Sequence, residues 1–95
     1  MIMHMNEMRI VVPRIRVLDK WGDTHEYDDM SSAVIFNNEI SANDFAKLQS
    51  SMTFPVDTPE IYHAGHVVYK VVYKIDGILY KLKEIGFYNC DDYDD

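Results

Sequence analysis

The sequence predicts an α+β domain: a small antiparallel sheet of four to five strands with one helix packed on one face, in the order ββ(β)αββ. Three observations lead there. Period-two alternation runs through Arg14–Val17, a capped amphipathic stretch begins at Ser41, and an Asp76-Gly77 pair sits between two long alternating segments.

The first element is a hairpin from Arg9 to Asp29. Ile15 and Val17 alternate with Arg14 and Arg16, the pattern of a strand with one wet face. Pro13 cannot donate a ladder hydrogen bond, so it marks an edge or a bend. Trp21-Gly22-Asp23 reads as a three-residue loop with Gly22 supplying the left-handed conformation. That loop pairs Val17 with Tyr27 and Arg16 with Asp28, apolar with apolar and charge with countercharge. Ala33-Val34-Ile35-Phe36 is a short apolar run and reads as a third strand.

The helix follows. Ser41 is a good N-cap with Asp44 three residues on, and Ile40 and Phe45 fit a hydrophobic staple. Phe45, Leu48 and Met52, with Ala42 and Ala46 alongside, form one apolar stripe at helical spacing. Thr53 to Gly65 holds Pro55 and Pro59 and reads as a loop.

The last element, VVYKVVYKIDGILYKLK at 67–83, is a second hairpin. A type I′ turn needs positive φ at both central residues, which suits Asp76-Gly77. Pairing outward joins Ile75 to Ile78, Tyr73 to Tyr80, Val71 to Leu82 and Tyr69 to Glu84 on one face. The other face joins Lys74 to Leu79, Val72 to Lys81, Lys70 to Lys83 and Val68 to Ile85. The side chains of Lys70, Lys74, Lys81 and Lys83 thus share a face, away from Tyr69, Tyr73 and Tyr80.

Length and composition bound the rest. Ninety-five residues with 47% hydrophobic content make one folded domain over 1–95, with residues 1–8 as a flexible start and 91–95 as an acidic tail. The N-terminal methionines alternate with polar residues and lack the cationic start and apolar run of a secretory signal. A single cysteine, Cys90, fits a reducing, cytoplasmic setting, and the core must be held by packing alone. A net charge of -7 argues against general attraction to nucleic acids or anionic membranes and favours docking onto a basic partner.

No motif names a chemistry. There is no G-x-S-x-G, no glycine-rich phosphate loop and no HExxH. His63-Ala64-Gly65-His66 spaces two imidazoles for one ion in a tight turn, but a zinc site wants four ligands. A small metal-dependent enzyme at that turn is the third reading. Cys90 with a histidine lacks any marked orienting group. No cofactor and no catalytic residue is assigned.

Two charged groups and one aromatic remain as binding candidates. Asp28 and Asp29 with the tail Asp91, Asp92, Tyr93, Asp94 and Asp95 form acidic strips able to imitate a phosphate backbone and occupy a basic groove. Their plainer reading is solvation and a frayed end. Trp21 at a hairpin tip is either folded back or an exposed anchor. Lys70, Lys74, Lys81 and Lys83 are either a phosphate-binding face, or a face neutralised by the chain's own clusters (Asp23, Glu26, Asp28 and Asp29; Asp91, Asp92, Asp94 and Asp95), or a solubilising one.

The leading expectation is a non-enzymatic accessory protein that blocks or modulates a protein partner, of the kind viruses encode as inhibitors or nucleic-acid mimics, with Trp21 and the acidic residues in contact. That expectation rests on general character and on no residue motif. The runner-up is a nucleic-acid-binding protein using the four lysines. An open strand edge also admits a homodimer.

Overall fold

The computed structural model of the chain describes residues 8–52 and 61–90; the side chains at 62, 73–75 and 79–80 lie outside that description. The elements are β1 (Arg9–Leu18), β2 (Thr24–Asp28), a 3₁₀ turn (Met30–Ser32), β3 (Val34–Phe36), α1 (Glu39–Met52), β4 (Ile61–Ile75) and β5 (Ile78–Asn89). This is the α+β architecture read from the sequence: one curled antiparallel sheet with one helix against it. The strand order is β2-β1-β4-β5, and β3 also pairs with β1.

β1 is the centre of the sheet, not an edge. Arg9–Val11 pairs with β3, Arg14–Leu18 pairs with β2, and Arg9–Val17 pairs with β4 on its other side. Pro13 falls at the junction where β1 changes partner. Its missing N–H costs no bond to β2 or β3 there, and its carbonyl accepts from the Asp29 amide at 2.9 Å.

The first hairpin is formed with a different register. Val17 pairs with His25 and Arg16 with Glu26, while Asp28 pairs with Arg14. The loop therefore spans residues 19–23, two longer than the expected one. Asp19 makes the difference. Its carboxylate accepts from the amides of Trp21 and Asp23, both at 2.9 Å, and its own amide donates to the Asp23 carbonyl. A shift of two keeps every side chain on its expected face.

The helix begins at Glu39, earlier than the Ser41 cap predicts. Asn38 takes the capping role, its side-chain oxygen accepting from the Ser41 amide at 2.7 Å. Of the predicted stripe, Ala42, Ala46 and Phe45 face the sheet and two residues do not. Leu48 and Met52 are exposed, whereas Ala42, Ala46 and Ser50, at four-residue spacing, are fully buried. Small residues let the helix axis approach the sheet closely, with Phe45 beside them against Phe36 at 5.1 Å between ring centroids.

β4 begins at Ile61, so the expected loop is shorter than Thr53 to Gly65; residues 53–60 lie outside the described residues. His63-Ala64-Gly65-His66 is strand with a bulge and not a turn. Ile15 pairs with His63 and Arg14 with Gly65, which leaves Ala64 as the extra residue. Gly65 is required by close approach. A Cβ there would lie 2.1 Å from the Tyr88 carbonyl oxygen.

The terminal hairpin turns at Asp76 and Gly77, with φ of 53° and 80°. Ile75–Ile78, Lys74–Leu79, Val71–Leu82, Lys70–Lys83 and Tyr69–Glu84 pair as expected. Three pairs do not form. Val72 is an extra residue on β4, so Tyr73 meets Lys81, and Tyr80 is an extra residue on β5, which restores the register. Ile85 is a third bulge and sends Val68 to Gly86. Bulges add local twist, which a curled sheet needs.

Two clusters fill the core. On the helix face, Val11 and Val68 pack on Ala42 and Ala46, with Phe36, Phe45 and Tyr88. On the opposite, curled face, Met8, Ile10, Val12, Val67 and Val71 pack with Ala33, Tyr69 and Leu82. Met8, expected in a flexible start, is part of this core. Each fully buried valine or isoleucine contributes about 1.5–3 kcal/mol.

Candidate binding site

Four features carry polar or exposed groups, and the fold sets each of them in place. At the β1–β2 tip, Trp21 is 75% exposed, so it is not a lid on the core. The loop that presents it is held from within. Asp19 receives the Trp21 and Asp23 amides, and its other oxygen lies 2.8 Å from His25 Nε2. The hydrogen bond from His25, with the two amides, holds the Asp19 carboxyl below the usual range. The Lys20 ammonium sits 4.6 Å from the Trp21 ring centroid. The result is a large aromatic group on a bonded loop.

Along the base of the same hairpin, a polar network crosses four of the five strands of the sheet. Arg14 on β1 donates from Nε to Asp28 on β2 at 2.8 Å and from Nη2 to Glu84 on β5 at 2.9 Å. Tyr69 on β4 donates its hydroxyl proton to Asp28. Phe87 lies under the guanidinium at 5.4 Å. Burial pushes the Asp28 carboxyl up, but the bonds from Arg14 and Tyr69 outweigh it, and the net shift is downward. The Asp28 hydrogen bond in turn raises Arg14.

Asp28 and Asp29, the docking carboxylates of the sequence reading, are both held within the chain. Asp29 caps the 3₁₀ turn through the Ser31 and Ser32 hydroxyls, which lower its pKa, and through the Ser31 amide. The tail residues Asp91, Asp92, Tyr93, Asp94 and Asp95 lie outside the described residues.

The third feature is the lysine row. Lys70 and Lys83 face each other across the β4–β5 ladder, and Arg9 is the partner of Lys70 on β1. Lys81 lies on the same face of β5, two residues from Lys83; the Lys74 side chain is outside the described set. All three arginines are ion-paired: Arg9 with Glu39, Arg14 with Asp28 and Glu84, Arg16 with Glu26. No lysine is, among the described residues.

The fourth feature was not legible in the motifs. Ser50 on α1 donates its hydroxyl proton to the Tyr88 carbonyl at 2.9 Å, so His66 Nδ1–H must be the donor in the 2.9 Å contact with the Ser50 oxygen. Burial, then the nearby His63, keeps His66 neutral by lowering its pKa. A serine beside a histidine suggests a nucleophile and its base. This pair is otherwise arranged. The serine proton goes to a backbone carbonyl, and Ser50 is fully buried. The pair pins helix to sheet. The only advance signal was the Ala42, Ala46, Ser50 spacing.

His63 and His66 do share a sheet face, because the Ala64 bulge brings residues three apart to the same side. Among the described residues, no group of three His, Cys, Asp or Glu side chains is placed to hold a metal ion. Cys90 is buried and is not in a disulfide. No described helix is long and apolar enough to cross a membrane. No protein-family model matches the chain, and neither a curated protein nor a solved structure is significantly similar to it.

Proposed function

We propose that this chain is a non-enzymatic binding protein that modulates a partner protein by surface complementarity, with Trp21 as its anchor. The observation that carries the reading is a tryptophan 75% exposed on a loop fixed by its own hydrogen bonds. Exposed tryptophan is costly to leave in water, and it is enriched among residues that dominate interface energies. A loop already ordered loses little freedom on binding. On the same side of β1, β2 beside the tip and β3 at the far end of β1 form an edge with no strand on their outer side among the described residues, carrying exposed Tyr27, Val34 and Ile35. The partner is therefore one with an apolar pocket for the indole, beside a face that accepts a strand edge.

The acidic tail adds a charged strip to this reading. Asp91, Asp92, Asp94 and Asp95 steer association with a basic partner, and Asp28 and Asp29 hold the base of the hairpin that presents Trp21. The test is affinity capture at two salt concentrations with the wild type and Trp21→Ala side by side, followed by binding measurements on the purified partner. A protein lost from the Trp21→Ala sample supports the reading. The same proteins captured in equal yield by both contradict it.

A further inference from the structure

We propose that Lys70, Lys81 and Lys83 form a second, separate contact site, for the phosphate backbone of a nucleic acid. The β4–β5 ladder sets Lys70 directly against Lys83. Like charges placed so are destabilising unless something neutralises them. The nearest cation in that row, Arg9, has Glu39. Glu84 is on the other face of the sheet and is bonded to Arg14. The arginines are each matched with a carboxylate; among the described residues Lys70, Lys81 and Lys83 have no ion-pair partner. A counter-charge supplied from outside the chain would relieve the Lys70–Lys83 repulsion.

The row also lies at the positive end of α1. Glu39 in the first helical turn bonds to Arg9, and Ser50 in the last bonds to His66 and Tyr88, so the helix starts at the Arg9–Lys70–Lys83 row. The aligned peptide dipoles add positive potential there.

The chemistry favours phosphodiester groups. Lysine acts as a compact point charge on phosphate, whereas paired carboxylates are better matched by the arginine fork. Lys81 and Lys83, two apart on one strand, are spaced by about 6.7 Å. Tyr69, on the opposite face and bonded to Asp28, cannot stack on a base held by the lysines. The contact is thus to the backbone and indifferent to sequence. The chain's charge of -7 opposes it at long range. Screening over about 8 Å at physiological salt leaves the local row to act.

The experiment is fluorescence anisotropy of a labelled DNA duplex titrated with the full chain over a range of salt. Three phosphate contacts give a slope of log affinity against log salt near -2.7. Lys81→Glu/Lys83→Glu is expected to weaken binding at least about tenfold. The control is Lys20→Glu/Lys47→Glu, which changes net charge equally away from the row. It leaves most of the affinity intact. Circular dichroism confirms that each variant is folded. No binding at low salt overturns the proposal. Equal losses in the two lysine pairs overturn it as an effect of net charge, and displacement by polyglutamate as readily as by polyphosphate assigns the row to an acidic protein instead.

Discussion

The Asp19 carboxylate accepts the backbone amide of Trp21 at 2.9 Å, and the indole of that residue stands clear of the fold. One short acidic side chain orders the loop and so decides where the largest exposed aromatic points.

Replacing Asp19 with Ala removes the acceptor for two amides and for His25. The loop then samples more conformations while Trp21 keeps its exposure. Time-resolved fluorescence should show faster local motion of the indole, with partner binding weakened and the melting temperature little changed. Unaltered indole motion would mean that the loop is ordered by something else.

The Arg14–Asp28–Tyr69–Glu84 network joins β1, β2, β4 and β5. Asp28→Asn removes the charge shared by Arg14 and Tyr69. The expected cost is about 1–2 kcal/mol, limited by the partial exposure of the site. The folded carboxyl titrates below its ordinary 3.8, so its stabilisation is complete above that pH and fades as pH falls below it. Denaturant midpoints of wild type and Asp28→Asn should converge in acid.

Ser50 and His66 join α1 to β4 and β5. Ser50→Ala leaves the Tyr88 carbonyl and the His66 Nδ1–H without their partner, at about 1–3 kcal/mol. His66 is held neutral, with its folded pKa below 6.5. The unfolded chain therefore takes up a proton that the folded chain resists. Its contribution is full above about pH 6.5 and is lost as pH falls toward the folded value. Urea titrations across that range should show a slope for the wild type that His66→Asn reduces.

Gly65→Ala tests the β4 bulge. The added methyl would meet the Tyr88 carbonyl, which is backbone and cannot rotate away. Destabilisation of about 3 kcal/mol or more is expected, with loss of amide-exchange protection concentrated in β4 and β5. A variant as stable as wild type would place β5 farther from Gly65.

What was legible in the sequence was local. Asp76-Gly77 declares its turn because two adjacent residues must take positive φ. The alternation of Arg14 to Val17 declares a strand whatever its register. The misreadings share a physical origin in choices settled by tertiary contacts. Asn38 and Ser41 are both good caps, and the Arg9–Glu39 pair favours the earlier start. The helix presents its alanines because the sheet lies close, which no count of large apolar residues reveals. Val72, Tyr80 and Ile85 bulge because the sheet curls, and a hairpin read alone has no curl to satisfy.

The candidate site was partly legible. Trp21 stood out as the single tryptophan, and the Lys70–Lys83 pairing followed from the turn. Whether Asp28 and Asp29 reach outward depended on Arg14, Tyr69, Ser31 and Ser32. Only two of these four lie near them in sequence. The Ser50–His66 contact joins residues sixteen apart in the chain, on different elements.

The central claim is that Trp21 anchors a partner protein. Its most direct test is calorimetric titration of the captured partner with wild type, Trp21→Ala and Trp21→Phe. A buried anchor costs at least about 2 kcal/mol on truncation, a weakening of some thirtyfold, with partial recovery by phenylalanine. An affinity unchanged in Trp21→Ala would contradict the account.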